Sequence, residues 1–105
     1  MGRAFGASET LLAGPSLVAV DTTSGGKTLA TLLGVALNGA LTRLVLIPAS
    51  AGVYFASGAA SAGSAPLPAG GIDIPIRKTE ADLLTFYGST INMTVLQRNR
   101  TIRLK

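Results

Sequence analysis

The stretch Asp21-Thr22-Thr23-Ser24-Gly25-Gly26-Lys27-Thr28 comes nearest, in residue types and spacing, to a chemical motif. A turn ending in Gly-Lys-Thr between a strand and a helix is how a phosphate-binding loop presents backbone N–H groups and a lysine to a nucleotide. Here Asp21 takes the place of that loop's first glycine, setting a carboxylate where the backbone must wrap an anion. The segment therefore reads as a turn at Gly25 and Gly26 followed by a solvated Lys27. The rest of the inventory is equally poor in chemistry. The chain has no His and no Cys, which removes the commonest general acid-base group and the commonest soft metal ligands. Five carboxylates remain, at Glu9, Asp21, Asp73, Glu80 and Asp82. Glu80 and Asp82 are two apart, a spacing that does not bring side chains together on a helix. No catalytic, cofactor-binding or metal-binding residue is assigned, no cofactor is implied, and the chain is expected not to be an enzyme.

The groups that remain available are suited to holding another surface. Arg98, Arg100, Arg103 and Lys105 crowd the last eight of the 105 residues. Such a segment can grip phosphates without sequence preference, yet it lacks the interleaved aromatics of a single-strand stacking platform. A basic arm lying on an acidic protein surface accounts for it as well and suits the rest of the chain better. Arg3 and Phe5 near the start, and Tyr54 in the pair Tyr54-Phe55, complete the candidate interface residues, since neighbouring residues on a strand face opposite sides and one aromatic of a pair is left to meet a partner.

The elements that position these residues follow from periodicity and punctuation. Residues 1–15, broken by Gly2, Gly6, Gly14 and Pro15, read as an N-terminal arm. A strand is expected over 16–21, a turn over 22–26, and a short helix from Thr28 to about Asn38-Gly39. Strands follow over 43–47 and 52–56, joined by a hairpin-like link. The Gly, Ala, Ser and Pro of 57–71 read as a surface loop. Ile72, Ile74 and Ile76 alternate with polar or special residues as in a half-buried strand, and Pro75 argues for an edge position. Thr79 is a candidate N-cap for one or two helical turns ending at Gly88. A last strand is expected from about 90 to 96, with Ile91, Met93 and Val95 on one face, before a basic C-terminal arm over 98–105. Lys27-Thr28-Leu29-Ala30-Thr31-Leu32-Leu33 and Lys78-Thr79-Glu80-Ala81-Asp82-Leu83-Leu84 share Lys, Thr, Ala and two Leu in register, an echo that either marks two similar halves or arises by chance in an Ala/Leu-rich chain.

Composition bounds the fold and its setting. A chain of 105 residues that is 48% hydrophobic supports one core. The expected fold is mainly β with one or two short helices, a compact β-sandwich or small barrel over 16–97 with extended terminal arms. Only 13% of residues are charged, about half the usual share, so part of the surface is expected to be covered by copies of the chain or by other subunits. No signal-peptide pattern precedes Glu9, and the uncharged stretch from Leu44 to Ile72 is too interrupted by Pro and Gly for a membrane helix. No membrane role is expected, and nucleic acid is the disfavoured partner.

The run Gly52-Val53-Tyr54-Phe55-Ala56-Ser57-Gly58-Ala59-Ala60, continuing through Pro66-Leu67-Pro68-Ala69-Gly70-Gly71 to Ile74-Pro75-Ile76, resembles small structural proteins of tailed bacteriophages over roughly residues 42 to 97. In those proteins a strand, a Gly/Ala/Ser loop and a Leu-Pro-Ala-Gly turn lead into a further strand of a β-sandwich or barrel. The resemblance implies a virion protein assembled in the host cytoplasm, foremost a capsid decoration or cement protein bound to the major capsid protein. A neck or tail component is the alternative within that class, and a small nucleic-acid-binding protein the alternative outside it. No binding residue carries over from the resemblance.

Overall fold

The fold is organised by one strand of 21 residues. A computed structural model, which describes residues 5–12, 15–57 and 65–104, contains β1 (Phe5–Leu11), β2 (Ser16–Thr28), α1 (Leu29–Leu33), β3 (Arg43–Pro48), β4 (Val53–Ser57), β5 (Ala65–Pro66), β6 (Ile72–Pro75), α2 (Lys78–Ala81) and β7 (Leu84–Leu104). All the pairing is antiparallel, and β7 lies at its centre. Along one edge run β1, opposite residues 98–104, and β2, opposite 85–95. Along the other run β3, opposite 93–98, and β4, opposite 84–88. β5 extends the sheet beyond β4, and β6 extends it beyond β3.

All three long tracks break at the same level. On β7 the inward-facing positions are Leu84 and Phe86 before Gly88, and Met93, Val95 and Gln97 after it. The parity changes from even to odd, which takes one extra residue. β2 shifts register at the same place, between Val20 opposite Ile91 and Thr22 opposite Gly88, and again before Lys27 opposite Phe86. The β3–β4 track is interrupted there by residues 49–52, where the Ala49 N–H still donates to the Asn92 carbonyl (2.8 Å). Strands that bulge together turn a corner. The result is two four-stranded antiparallel sheets, β5-β4-β7-β2 and β6-β3-β7-β2, sharing the long β2/β7 ribbon, with no closed barrel among the described residues. The small-barrel form of the expectation is thus replaced by two sheets around one core.

The core comes from both sides of the corner. Val18, Val20, Leu29, Leu44, Leu46, Val53, Leu84, Phe86, Met93 and Val95 form one buried cluster with Leu37, Leu41 and Leu67 from the connections. Cross-strand partners within it include Val18 with Met93 and Leu46 with Val95, and the half-buried Phe55 packs on it opposite Phe86, their rings 6.5 Å apart. Truncating a buried Leu in such a cluster costs about 2–5 kcal/mol.

Several boundaries differ from the sequence reading for physical reasons. The residues expected to turn at 22–26 are a bulged part of a continuous β2. The short helix stops at Leu33, because Gly34 takes φ 80° and its N–H donates to the Ala30 carbonyl (2.9 Å), closing the helix early. The link over 49–52 is not a hairpin: β3 and β4 run in the same direction and share one edge of β7. The second helix is capped by Arg77 rather than Thr79, with Glu80 accepting from the Arg77 N–H (3.2 Å). Both copies of the echoed heptad therefore start helices, but two residues out of step, burying Leu29 in the first and Ala81 in the second. The end of the expected loop packs inward, with Leu67 buried and its N–H on the Val53 carbonyl (2.7 Å); residues 58–64 lie outside the described residues. β6, with its Pro75, is an edge strand, as the proline requires.

A β-carbon added at Gly88 would sit 2.3 Å from the Gly52 carbonyl oxygen. One added at Gly34 meets nothing within 4 Å and suffers only from its positive φ. Gly88→Ala is therefore expected to destabilise the fold by about 3 kcal/mol or more, and Gly34→Ala by only about 1–2 kcal/mol. Urea denaturation of the two variants checks the order; equal losses would mean that the corner yields.

Candidate interaction surface

Beyond Gln97, which is buried, β7 runs on to Leu104 past the end of its pairing with β3 at Arg98. The segments read as two separate arms are paired with each other: Phe5 lies opposite Leu104, Gly6 opposite Arg103, Ala7 opposite Ile102, Glu9 opposite Arg100 and Leu11 opposite Arg98. Leu12 closes the ribbon against the body, half-buried on the core and donating its N–H to the Gln97 carbonyl (2.7 Å). Sequence alternation hid this element, since Gly6 and polar residues interrupt the first strand and charges crowd the second. A ribbon beyond a compact body accords with a radius of gyration of 14.9 Å, against about 13 Å for a fully compact domain of this size.

The ribbon is anchored by polar contacts that sequence reasoning did not single out. Gln97 is buried, and its Oε1 accepts from the Asn38 N–H (2.9 Å), so the amide lost to water is replaced within the fold. Asn99 Nδ2 donates to the Ala40 carbonyl (2.6 Å), and the Thr42 N–H donates to the Arg98 carbonyl (2.9 Å). Thus 38–42 ties β7 in place where the ribbon departs.

Of the candidate interface residues, Phe5, Arg98, Arg100 and Arg103 are brought into this one ribbon. Arg98 is half-buried at its base, between Leu11 on one side and Arg43 on the other. Arg3 and Lys105 lie outside the described residues. Tyr54 is elsewhere, on β4 beyond the corner, 39% exposed and stacked on its cross-strand partner Tyr87 at 5.5 Å and 17°. A third feature lies on the outer face of the other sheet, where exposed Leu17 and Ile47 stand in register on either side of Thr94.

Several charged groups of the body hold elements together. Asp21 accepts from Thr90 Oγ1 (3.0 Å) across β2 and β7, Arg43 pairs with Asp73 (2.6 Å) across β3 and β6, and Lys78 pairs with Asp82 (2.6 Å) along α2. These pairs are partly solvated, so each contributes about 1 kcal/mol at most. A shallow open groove of about 470 Å³ lies between 39–42, Asn99 and the start of α2. Its cations Arg77 and Lys78 are matched by Glu80 (3.8 Å) and Asp82. Among the described residues no three acidic or other ligating side chains converge as a metal site would require. Lys27 of the Gly-Lys-Thr stretch is exposed within β2, in register with Phe86. The arrangement can therefore present a cationic strand pair, a stacked tyrosine pair and an apolar sheet face to another macromolecule.

The tyrosine stack is expected to stabilise the β4/β7 pairing by about 0.5–1.5 kcal/mol beyond area burial. A double-mutant cycle of Tyr54→Ala and Tyr87→Ala, followed by denaturation, should return a coupling of that size. Additive losses would mean that the rings only lie side by side.

Comparison of the chain with family models, with curated proteins and with solved structures gives no match.

Proposed function

We propose that this chain is a structural subunit of a larger assembly, docking through its terminal ribbon, and that the assembly is a phage particle in which it serves as a capsid decoration or cement protein. The observation that carries the docking reading is the β1/β7 ribbon itself. Two strands alone are marginal in water, and here they continue past the end of the β3 pairing, with Arg98, Arg100, Arg103 and one carboxylate, Glu9, in their sequence. A protein surface bearing carboxylates would both stabilise the ribbon and speed encounter. The low charge of the chain and the exposed Leu17 and Ile47 support a molecule whose faces are partly covered by neighbours. The narrower virion reading rests on the resemblance over residues 42 to 97, and its partner would be the major capsid protein or another virion subunit.

Arg100 and Arg103 lie past the end of the β3 pairing at Arg98, so these charges can be changed without altering any residue described in the core cluster. The Arg100→Gln/Arg103→Gln chain is expected to melt within about 2 °C of the parent while its uptake into particles falls sharply in competition with the parent. Raised salt should release the parent chain from particles, as screening of exposed charges requires. Sedimentation of particles with both chains makes the comparison. Equal uptake would contradict ribbon docking, and failure of the parent chain to co-sediment at any salt would contradict the virion reading.

A further inference from the structure

Past Arg98 the spine has a neighbour on one side only. β3 ends its pairing with Arg43 opposite Arg98, whereas β1 accompanies β7 to Leu104. Among the described residues, the β3-side edge of 99–104 therefore carries no strand. Two hydrogen bonds identify the peptide groups on it. The Gln97 carbonyl accepts from Leu12 on the β1 side, and the Arg98 carbonyl accepts from Thr42 on the β3 side. Backbone groups of an antiparallel strand alternate between its edges. The peptide groups of Arg100, Ile102 and Leu104 thus point to the open edge, and those of Asn99, Thr101 and Arg103 to β1.

We infer that this open edge of β7 takes up an extended, carboxylate-bearing strand of a partner protein by β-strand addition. The inference deepens the assembly reading and rests on it, naming the docking mode and the partner's chemistry. An unpaired strand edge is a template for another chain, and a third strand converts a marginal ribbon into a stable sheet. The sequence selects among occupants. A second copy of β7 would bring Arg98, Arg100, Arg103 and Lys105 with no carboxylate among them alongside the same cations, so like charges gather across the pairing. A nucleic acid could meet the arginines, but its phosphates only accept, leaving the edge carbonyls without donors. An acidic strand satisfies both the ladder and the charge.

The test uses the full chain labelled for amide exchange, with two short extended peptides, one alternating Glu with Val and the other alternating Lys with Val. In the free chain, amides of Arg100, Ile102 and Leu104 should exchange faster than those of Asn99, Thr101 and Arg103. The Glu peptide should slow the first set by about tenfold or more while the Lys peptide leaves it unchanged. Ile102→Pro removes an open-edge N–H without taking a bond from β1, and should weaken Glu-peptide binding by about tenfold. Equal binding of the Lys peptide, protection of other amides instead, protection by self-association without peptide, or unchanged binding in Ile102→Pro would each overturn the inference. So would duplex DNA protecting the same amides. If the peptide fails while the Arg100→Gln/Arg103→Gln chain still loses its place in particles, strand addition falls alone; if that chain is taken up normally as well, the docking reading falls with it.

Discussion

Gly88 and Gly52 approach so closely that a β-carbon on the first would lie 2.3 Å from the carbonyl oxygen of the second, and the two-sheet architecture depends on that approach. A single strand of 21 residues has no core of its own. It acquires one here because β7 and both its flanking tracks bend at one level, bringing Phe86 and Val53 from one sheet into the same cluster as Met93, Val95 and Leu46 from the other. The corner also explains the bulge at 22–26, since the track on its far side must lengthen to follow the bend. The ribbon past Gln97 is joined to the body by Leu12 and by hydrogen bonds, including the anchor at 38–42.

What the sequence made legible was local. Ile91, Met93 and Val95 alternate strictly and share one face; Pro48 ends β3; Pro75 sits on an edge strand; and the predominance of β structure follows from these runs. What it hid was long-range. The pairing of residues 5–11 with 98–104 joins the two ends of the chain, and neither partner carries the apolar alternation that marks a strand. The same limit applies to 49–52, where a short link between strands imitates a hairpin but follows the edge of a third strand that comes some forty residues later. Gln97 closes the expected domain with no sequence sign of burial, and only the fold supplies the Asn38 N–H that makes its burial tolerable. Of the candidate surface, the cationic residues were legible and their common scaffold was not.

The division of the molecule into a body and a ribbon gives the proposed role a physical basis. The body pairs most of its charged residues with one another, and its surface also carries exposed Leu17, Ile47 and the tyrosine stack. The ribbon has the reverse character, with an excess of cations and an unpaired backbone edge among the described residues. Cations raise the rate of meeting an acidic surface, while a ladder of backbone bonds slows departure and fixes orientation. A subunit meant to stay where it lands in a particle benefits from both.

The most direct measurement is a density map of the native assembly at a resolution that traces strands. The account predicts the β1/β7 ribbon buried against a neighbouring subunit, with a third strand alongside residues 99–104 and carboxylates near Arg100 and Arg103. A ribbon left in solvent, with the chain attached only through its sheet faces, would contradict it.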